Sequence, residues 1–376
     1  MYQCHNYIYY IYIIMDLKDK KLFNKHCSRY GKYLPPVLPA VDRIIVIGDI
    51  HGDINVLITC LTISNLIKPL SSISEGYINV LKNIKWIGGK TVVVQVGDQI
   101  DSCRPKHTKC DDPNTTKNDE PNDILILKLF TELHKQAVKS GGAVYSLLGN
   151  HEIMNVMGQF NYVSYENLVS FSDYKDTKIN FEKMYPKLSL VARGKLARQH
   201  AFKEGNKYAS FLGCTRYPAI IIGDFMFVHA GITPNFMKKT GITKREDLVS
   251  LNYHVRKWLL GLINKDTITD IVDSHEYSLF WTRVLGNIPS ETNPNFCTDQ
   301  LEYVLNAFRI GHIVVGHTPQ FYINKDGINT TCNEKIIRVD FGGSNMAFNG
   351  FGADNDENRE PQVLEILNNT ELNIIK

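Results

Sequence analysis

The 376-residue sequence predicts an α/β fold in which helices cover β-sheets. Several short runs rich in β-branched residues end in Gly, Asp, Asn or His, and such runs are typical of strands buried on both faces. Segments with apolar residues at helical spacing lie between these runs. Strands that alternate with helices indicate helices packed on sheets.

The predicted strands share a near-continuous apolar character and a polar or glycine residue at their carboxyl end. They lie at residues 43–47, 91–96, 143–148, 225–228, 312–315 and 336–340. Helices are predicted at 55–67 and 123–139, where Ile124, Leu127, Phe130 and Leu133 share one face before Gly141 stops the second helix. Residues 104–122 are polar and predict a surface insertion, and residues 160–211 predict a helical cap beside the site.

The chain ends are predicted to be extensions of one catalytic domain. The domain spans residues 41–345, with an N-terminal extension at 1–40 and a C-terminal extension at 346–376. The apolar run at residues 8–14 is about half the length that a bilayer needs, and it lacks the flanks of a signal peptide. A translation start at Met15, or a strand added to a sheet edge, explains the run better than membrane anchoring does. No membrane contact is therefore expected.

Charge and cysteine content restrict the class of protein. The formal net charge of +3 is small for this length and argues against a nucleic-acid partner. Scattered cysteines without a CxxC pair predict mainly reduced, buried thiols and a cytoplasmic protein. Cys103 and Cys110 bracket His107 in a polar loop. The sequence leaves two alternatives for this pair, a disulfide or a metal site. The abundance of Asn, Ile and Lys suggests an AT-rich genome, such as that of a parasite or a large virus, whose protein would lie in host cytoplasm or virion.

Five short motifs follow the predicted strands and carry the chemistry. They are Gly48-Asp49-Ile50-His51-Gly52-Asp53, Gly97-Asp98-Gln99-Ile100-Asp101, Gly149-Asn150-His151-Glu152, Val228-His229-Ala230-Gly231 and Gly316-His317-Thr318. Open α/β sheets place ligands at the carboxyl ends of their strands. Imidazole, carboxylate and amide oxygens together suit Mn, Fe or Zn. Six candidate ligands, one of them a carboxylate able to bridge, indicate a pair of metal ions.

The order of these motifs resembles that of the calcineurin-like metallophosphoesterases, and within them the phosphoprotein phosphatases. The longer segments Gly149–Val156, Tyr217–Ala219 and Leu279–Arg283 resemble the Shewanella-like protein phosphatases. This resemblance implies two facing mixed β-sheets flanked by helices, a four-layer α/β/β/α sandwich. It also implies two bound metal ions (Mn, Fe or Zn, with Mn expected to support activity in vitro).

The resemblance also assigns roles to individual residues. Asp49 and His51 would hold the first metal ion and Asp98 would bridge the pair. The second ion would be held by Asn150, His229 and His317. Hydroxide formed between the two ions would attack phosphorus in line. His151 would protonate the leaving oxygen, and Asp101 would hydrogen-bond His151 and orient it.

Phosphate binding is predicted to use arginine, whose planar fork matches two oxygens. Arg283 corresponds to one arginine of the family. Where the family usually carries a second arginine, after GDxxD, this chain has Ser102, and Arg104 two residues later is the candidate replacement. Among the other motif residues, Asp53 is predicted to cap a helix, Glu152 to anchor a loop, and Arg216 to be structural.

Three functions remain open from the sequence. The first is a protein phosphatase acting on phosphoserine and phosphothreonine or on phosphotyrosine, with phosphorylated proteins as partners. The second is a hydrolase of dinucleoside polyphosphates or RNA caps, although such enzymes usually carry GNHD and not the GNHE seen here. The third, suggested by Ser102, is a weakened pseudophosphatase that serves as a binding module. The oligomeric state is not predicted.

Overall fold

The computed structural model describes residues 16–70, 77–177, 179–290, 294–348 and 357–376. The apolar run at residues 8–14 lies outside the described residues. Within them, no helix is long and apolar enough to cross a membrane.

Eleven strands are described, most of them four or five residues long. They are β1 (Val37–Leu38), β2 (Arg43–Ile47), β3 (Val92–Gln95), β4 (Ala143–Ser146), β5 (Ala219–Ile222), β6 (Phe225–Val228), β7 (His312–Val315), β8 (Asn329–Thr331), β9 (Ile336–Arg338), β10 (Val363–Leu367) and β11 (Glu371–Ile375). Each of the six predicted strands therefore exists. The sequence reading missed β5, β8, β10 and β11, and also the two-residue β1.

The helices lie between the strands, as the alternating pattern predicted. They are α1 (residues 16–26), α2 (Ile54–Ile63), α3 (Tyr77–Asn83), α4 (Asp123–Lys139), α5 (Asn150–Val156), α6 (Tyr165–Val169), α7 (Phe181–Met184), α8 (Leu190–Phe202), α9 (Lys207–Thr215), α10 (Pro234–Thr240), α11 (Asp247–Leu259), α12 (Thr269–Val272), α13 (Pro294–Phe308), α14 (Gln320–Ile323) and α15 (Asn345–Phe348). Helix α4 has the predicted bounds. The stretch at 160–211, for which a helical cap was predicted and which is called the cap below, contains α6, α7, α8 and the beginning of α9.

The strands form two mixed sheets. One has the order β1-β5-β6-β7-β9-β8, and the other has the order β11-β10-β2-β3-β4. Strands β2, β3 and β4 run parallel, with Ile44 opposite Val92 and Val92 opposite Ala143. Strands β6, β7 and β9 are likewise parallel, with β5 and β8 as antiparallel partners on their two sides, and β10 pairs antiparallel with β2. The carboxyl ends of the parallel strands thus lie at one edge of each sheet.

Alternate residues of β5 explain the layered arrangement. Ile220 and Ile222 belong to the buried cluster that contains β2, β3 and β4, whereas Ala219 and Ile221 belong to the cluster formed with α9, α11 and α13. Successive side chains of a strand point to opposite faces. Strand β5 is therefore covered by the second sheet on one face and by helices on the other, and α2 and α4 join the cluster of the second sheet. The predicted fold of two mixed sheets flanked by helices is confirmed.

The region that the sequence assigned to a C-terminal extension contributes strands to the domain. Strand β10 pairs with β2 through Leu364 and Val46, and its residues Val363, Leu364 and Ile366 are buried in the core. Strand β11 pairs with β10 and forms the edge. At the other end, β1 pairs with β5, so part of the N-terminal extension also belongs to a sheet.

The prediction of mainly reduced thiols is wrong for the described residues. Their seven cysteines include six in the disulfides Cys27–Cys214, Cys103–Cys110 and Cys297–Cys332, and the remaining Cys60 is buried. The pairs join residues up to 187 positions apart, a proximity that only the folded chain creates.

Candidate active site

The loops at the carboxyl ends of five strands, three in one sheet and two in the other, bring polar side chains together. Asp49 follows β2, Asp98 follows β3, Asn150 follows β4, His229 follows β6 and His317 follows β7. All five side chains are buried. Because the strands belong to both sheets, the site lies where the two sheets meet at their carboxyl edges.

The backbone at the site adopts left-handed conformations that are rare for residues other than glycine. The φ angles are 47° at His51, 51° at Asp98, 71° at Asp101 and 65° at His317. Such conformations cost free energy and persist at functional sites where the surrounding structure imposes them. Gly149 has a different constraint, because a Cβ atom there would overlap the Asp98 carboxylate.

Asn150, His229 and His317 form one half of the site. Asn150 Oδ1 lies 2.9 Å from His229 Nε2 and 2.9 Å from His317 Nδ1. Asp98 Oδ2 lies 3.4 Å from His229 Nε2. Ligand atoms of Asp98, His229 and His317 all fall within 4.8 Å of one another, which is close enough for one metal ion to contact all three.

Asp49 and His51 form the other half. His51 Nε2 lies 3.9 Å from Asp98 Oδ2 and 3.9 Å from Asp49 Oδ2. The second carboxylate oxygen of Asp49 is buried and has no hydrogen-bond partner among the described residues. A buried carboxylate oxygen without a partner is costly unless a cation satisfies it. Asp98 lies between the two halves and is the residue that they share.

Hydrogen bonds on the far side of the rings orient the histidines. His229 Nδ1 lies 2.9 Å from the Val96 carbonyl, and His317 Nε2 lies 3.2 Å from the Trp281 carbonyl. A ring nitrogen that donates to a carbonyl leaves the other nitrogen unprotonated and ready to bind a metal ion. Burial, together with the positive Arg283, lowers the pKa of His317 well below its usual value and keeps that ring neutral.

The charge balance of the site fits a pair of cations. Burial and the neighbouring carboxylates of Asp340 and Asp98 raise the pKa of Asp49 well above its usual value. Burial and Asp98 likewise raise the pKa of Glu152 to about 7. Burial opposes the ionisation of Asp98 too, but the surrounding histidines hold its pKa well below the usual value. Buried carboxylates gathered this closely require positive charge, which metal ions would supply.

His151 and Asp101 form a dyad beside the metal-binding groups. His151 Nδ1 lies 2.9 Å from Asp101 Oδ2, and His151 Nε2 lies 3.8 Å from Asp98 Oδ2. Asn155 Nδ2 donates to both oxygens of Asp101 at 3.0 Å. The dyad is thus held from one side, while Nε2 faces the shared carboxylate.

A buried arginine of the cap supports this dyad. Arg198 on α8 is fully buried; its Nε donates to Asn155 Oδ1 at 2.8 Å, and its Nη2 lies 2.7 Å from Asp123 Oδ2 and 3.5 Å from Asp101 Oδ1. Asp123 also accepts a hydrogen bond from the Asp101 backbone N–H at 3.1 Å. The cap therefore supplies a positive charge behind the candidate acid.

The structure places Arg104 at the site. Its Nη2 lies 2.9 Å from His51 Nε2 and 3.5 Å from His151 Nε2, while Nη1 donates to the Asp101 carbonyl at 3.0 Å. The rings of Tyr162 and Phe348 each lie 5.3 Å from its Cζ, which favours a cation between them. The lone pair of His51 Nε2 can bind either a guanidinium N–H or a metal ion. A metal ion bound at Nε2 therefore requires the Arg104 guanidinium to move away from it.

The second predicted arginine lies beside the other half of the site. Arg283 is exposed, and its Nη1 donates to the His317 carbonyl at 3.0 Å. Ser102, where the family usually has an arginine, is fully buried, and its hydroxyl has no partner among the described residues. The two guanidinium groups therefore approach the site from the sides of His51 and of His317.

The supporting motif residues have the structural roles that the sequence predicted. Asp53 caps α2 by accepting hydrogen bonds from the backbone of Asn55 and Val56. Glu152 accepts from the backbone N–H groups of Asp98, Gln99 and Gly149 and so ties two site loops together. Arg216 is buried, and its donors are satisfied by Gln99 Oε1, Thr131 Oγ1 and the Leu127 carbonyl.

Several residues of the site were missed by sequence reasoning. Asn155 lies inside the Gly149–Val156 segment, so its position one helical turn after His151 was a usable signal. Arg198, Tyr162 and Phe348 lie outside every motif, and no pattern in the sequence indicates them. Asp340 is buried, and its Oδ2 has no partner among the described residues; its position at the end of a predicted strand was a signal left unused.

Comparison with known proteins gives relatives along most of the chain. A protein of Acanthamoeba polyphaga mimivirus is 40% identical over 260 residues, which cover 65% of this chain and 97% of that protein. Shewanella-like protein phosphatase 2 of Arabidopsis thaliana is 26% identical over 357 residues, which cover 89% of this chain and 77% of the relative.

Solved structures and a family match agree with these relatives. A cold-active protein tyrosine phosphatase superposes with a TM-score of 0.57 at 18% identity, over 92% of this chain and 80% of that structure, a likeness of fold. Residues 42–321 match the calcineurin-like phosphoesterase family. The chain therefore belongs to the calcineurin-like phosphoesterases, and Shewanella-like protein phosphatases are among its relatives.

Proposed function

We propose that this chain is a protein phosphatase that hydrolyses phosphoserine and phosphothreonine or phosphotyrosine with two bound metal ions. The observation that carries the proposal is the position of Asp98. Its carboxylate belongs to both groups of potential ligands, one with His51 and His151 and one with His229 and His317. A single carboxylate shared by two ligand groups suits a bridged pair of metal ions.

The ligands divide between the two sides of Asp98. Asp49 and His51 would hold one ion with Asp98, and Asn150, His229 and His317 would hold the other with Asp98. Such ions, when bound, neutralise phosphate oxygens and lower the pKa of a coordinated water so that hydroxide is available near neutral pH. Manganese, iron and zinc all suit this mixture of oxygen and nitrogen ligands.

His151 is the proton donor in this proposal. Its Nδ1 proton is held by Asp101 at 2.9 Å, so the nitrogen that can give a proton to the substrate is Nε2. Nε2 faces the site, 3.8 Å from Asp98 Oδ2. The leaving oxygen of the phosphoresidue would take its proton from Nε2.

Arg104 and Arg283 would bind the phosphate oxygens. Arg104 lies beside His51 and His151, and Arg283 lies beside His317, so the two cations flank the ligand groups. Guanidinium groups bind phosphate through paired N–H donors. In this arrangement Arg104 takes the part for which the family's arginine is absent at Ser102.

Relatives named as protein phosphatases support a phosphorylated protein as the substrate. Turnover should therefore be measured on matched peptides carrying phosphoserine, phosphothreonine or phosphotyrosine, on p-nitrophenyl phosphate, and on diadenosine tetraphosphate. We expect Mn²⁺-dependent phosphate release from at least one peptide, and loss of that release in Asp98→Asn. His254→Asn, which changes a histidine that bonds Ser250 outside the site, is the matched control.

The His151→Asn variant tests the mechanism separately. We expect kcat on phosphopeptides to fall by about 10²–10⁴-fold, because an alkoxide or phenoxide needs a proton to leave. Turnover of p-nitrophenyl phosphate should fall less, because p-nitrophenoxide is a good leaving group. Faster hydrolysis of diadenosine tetraphosphate than of any peptide would assign the chain to nucleotide hydrolysis. Absence of turnover with both metal ions bound would make it a binding module.

A further inference from the structure

A cavity of about 420 Å³ opens beside the candidate active site, between the insertion at 104–122 and the cap. The insertion contributes Lys109 and Asp111 to its lining, and the cap contributes Phe160, Tyr162 and Lys195. Apart from Tyr162, which packs against Arg104 and His151, none of these residues has a part in the chemistry described above. The volume is large enough to receive one or two amino-acid side chains.

Tyr162 connects this cavity to the site. Its ring lies 5.1 Å from the His151 ring and 5.3 Å from Arg104 Cζ, and the same residue lines the cavity. One aromatic ring therefore separates the cavity from the groups that would hold the phosphate and protonate the leaving oxygen. A peptide whose phosphorylated residue lies at His151 would have its neighbouring residues within reach of the cavity.

The lining of the cavity is positive at its rim and aromatic inside. Lys109 and Lys195 are exposed, and neither makes an ion pair with another described residue. Asp111 is the acidic residue of the lining, so the charged groups around the cavity sum to +1. Phe160 is buried against Val163 and Leu168 and forms an apolar wall. Two lysines over an apolar wall suit a side chain with a methylene stem and a carboxylate end.

We propose that this cavity is a substrate subsite that binds an acidic side chain close to the phosphorylated residue. The inference rests on the proposed phosphatase function and adds a sequence preference to it. The enzyme then selects phosphoproteins in which Glu or Asp flanks the phosphoresidue, because Lys109 and Lys195 attract the flanking carboxylate. Because exposed ion pairs are individually weak, we expect the preference to be a several-fold difference in kcat/KM.

The test compares two phosphopeptides that differ only in carrying Glu or Gln at the positions flanking the phosphoresidue. We expect the Mn²⁺-loaded full-length chain to show a kcat/KM about 5–10-fold higher for the Glu peptide, the size that two exposed ion pairs permit. The ratio should decline as NaCl is raised, because salt screens exposed charges. In the double variant Lys109→Gln/Lys195→Gln the ratio should fall to about one.

A ratio measured within each variant is unaffected by partial loss of folded protein. Lys187→Gln, which changes an exposed lysine of the cap outside the cavity lining, should keep the parent ratio. Equal kcat/KM for both peptides in the parent chain overturns the inference and leaves the phosphatase function standing. A preference that survives in the double variant also overturns it. If p-nitrophenyl phosphate is hydrolysed but no phosphopeptide is, the proposed function fails and the inference fails with it.

Discussion

Two positive side chains, Arg104 and Arg198, reach the site from outside the strand-end motifs. Arg104 lies between the rings of Tyr162 and Phe348, and Arg198 lies behind the His151–Asp101 dyad. A guanidinium group desolvates more readily than an ammonium group and offers donors in a fixed plane. We therefore expect substitution of either arginine to have a specific effect.

Replacing Arg104 tests whether it substitutes for the arginine absent at Ser102. We expect Arg104→Ala to lower kcat/KM for p-nitrophenyl phosphate by about 10²-fold, because donors to the reacting phosphate are lost. The kcat/KM of Arg104→Lys should lie between those of the parent and of Arg104→Ala, because lysine keeps the charge and loses the paired donors. Arg309→Ala, at an exposed arginine paired with Glu246, should match the parent. Full activity of Arg104→Ala would remove this residue from phosphate binding.

Replacing Arg198 tests the buried charge behind the dyad. Arg198→Met leaves Asp123 and Asp101 buried without their cation, which destabilises a protein by about 3–5 kcal/mol. Burial already raises the pKa of Asp123 to about 6, with Arg198 opposing the rise, so the pKa of Asp123 rises further in the variant. The pKa of Asp123 in the folded variant then exceeds that in the folded parent. The free energy of unfolding of the variant therefore falls relative to that of the parent as pH rises above about 6.

Urea unfolding at pH 5 and pH 8 measures this effect. The deficit of Arg198→Met in the free energy of unfolding should be larger at pH 8, where Asp123 of the folded parent is charged beside Arg198, than at pH 5, where it is protonated. Arg193→Met is the matched control, because Arg193 lies on the same helix and donates to the Ser172 carbonyl, with no carboxylate partner in the part of the chain that the structure describes. A deficit of equal size at both pH values would contradict the role given to Asp123.

Among the elements, the insertion at 104–122 has the clearest tie to the site. The Cys103–Cys110 disulfide closes a short loop that begins with Arg104, and the Cys103 backbone N–H donates to the Tyr162 carbonyl at 3.1 Å. The disulfide and this hydrogen bond limit the positions open to Arg104. Of the two alternatives that the sequence left open for this cysteine pair, a disulfide or a metal site, the structure has the disulfide.

Removing this disulfide should weaken phosphate binding more than it weakens the fold. We expect Cys103→Ser/Cys110→Ser to raise KM for p-nitrophenyl phosphate several-fold, because Arg104 gains conformational freedom that binding must then remove. Cys297→Ser/Cys332→Ser is the control: it removes a disulfide that joins α13 to the loop after β8, and it should lower thermal stability with KM unchanged. An unchanged KM in the first variant would show that the loop holds Arg104 without its disulfide.

At the scale of the whole molecule, the site joins the two sheets. Asp49, Asp98 and Asn150 follow strands of one sheet, and His229 and His317 follow strands of the other. A cation that binds both sets of residues binds only the folded chain, because the unfolded chain does not bring them together. Metal binding should therefore stabilise the whole fold and not one loop.

Thermal unfolding with and without metal measures this coupling. Chelator-treated protein should unfold at a lower Tm than protein with Mn²⁺, and at a metal concentration of 100 Kd the gain is about 2.7 kcal/mol. Asp98→Asn should abolish most of the Mn²⁺-dependent shift. Asp19→Asn, which removes a buried carboxylate that pairs with Arg256 and belongs to none of the motifs, should lower Tm and keep the shift. A shift that survives in Asp98→Asn would place the metal elsewhere.

The amino-acid sequence by itself determined the class of fold, six strands, the helical character of residues 160–211 and the motif residues that the structure gathers. Each of these is encoded locally: a β-branched run makes a buried strand, and a glycine beside Asp, Asn or His marks the turn at its end. Strand β10 was missed because its burial depends on pairing with β2, more than 300 residues away along the chain. Strand β11 pairs with β10 at the edge of the sheet and is partly exposed, and its sequence, in which polar Glu371 and Asn373 alternate with apolar residues, carries less signal.

Only the tertiary structure decided which distant residues meet. Arg198 reaches Asp123 across 75 residues, Cys27 reaches Cys214 across 187, and Arg104 meets Phe348 through a contact that no spacing predicts. The physical reason is that burial and pairing energies depend on three-dimensional neighbours, whereas periodicity records only the neighbours along the chain. Ligand types could therefore be predicted from sequence, and the charges and rings that hold them in place could not.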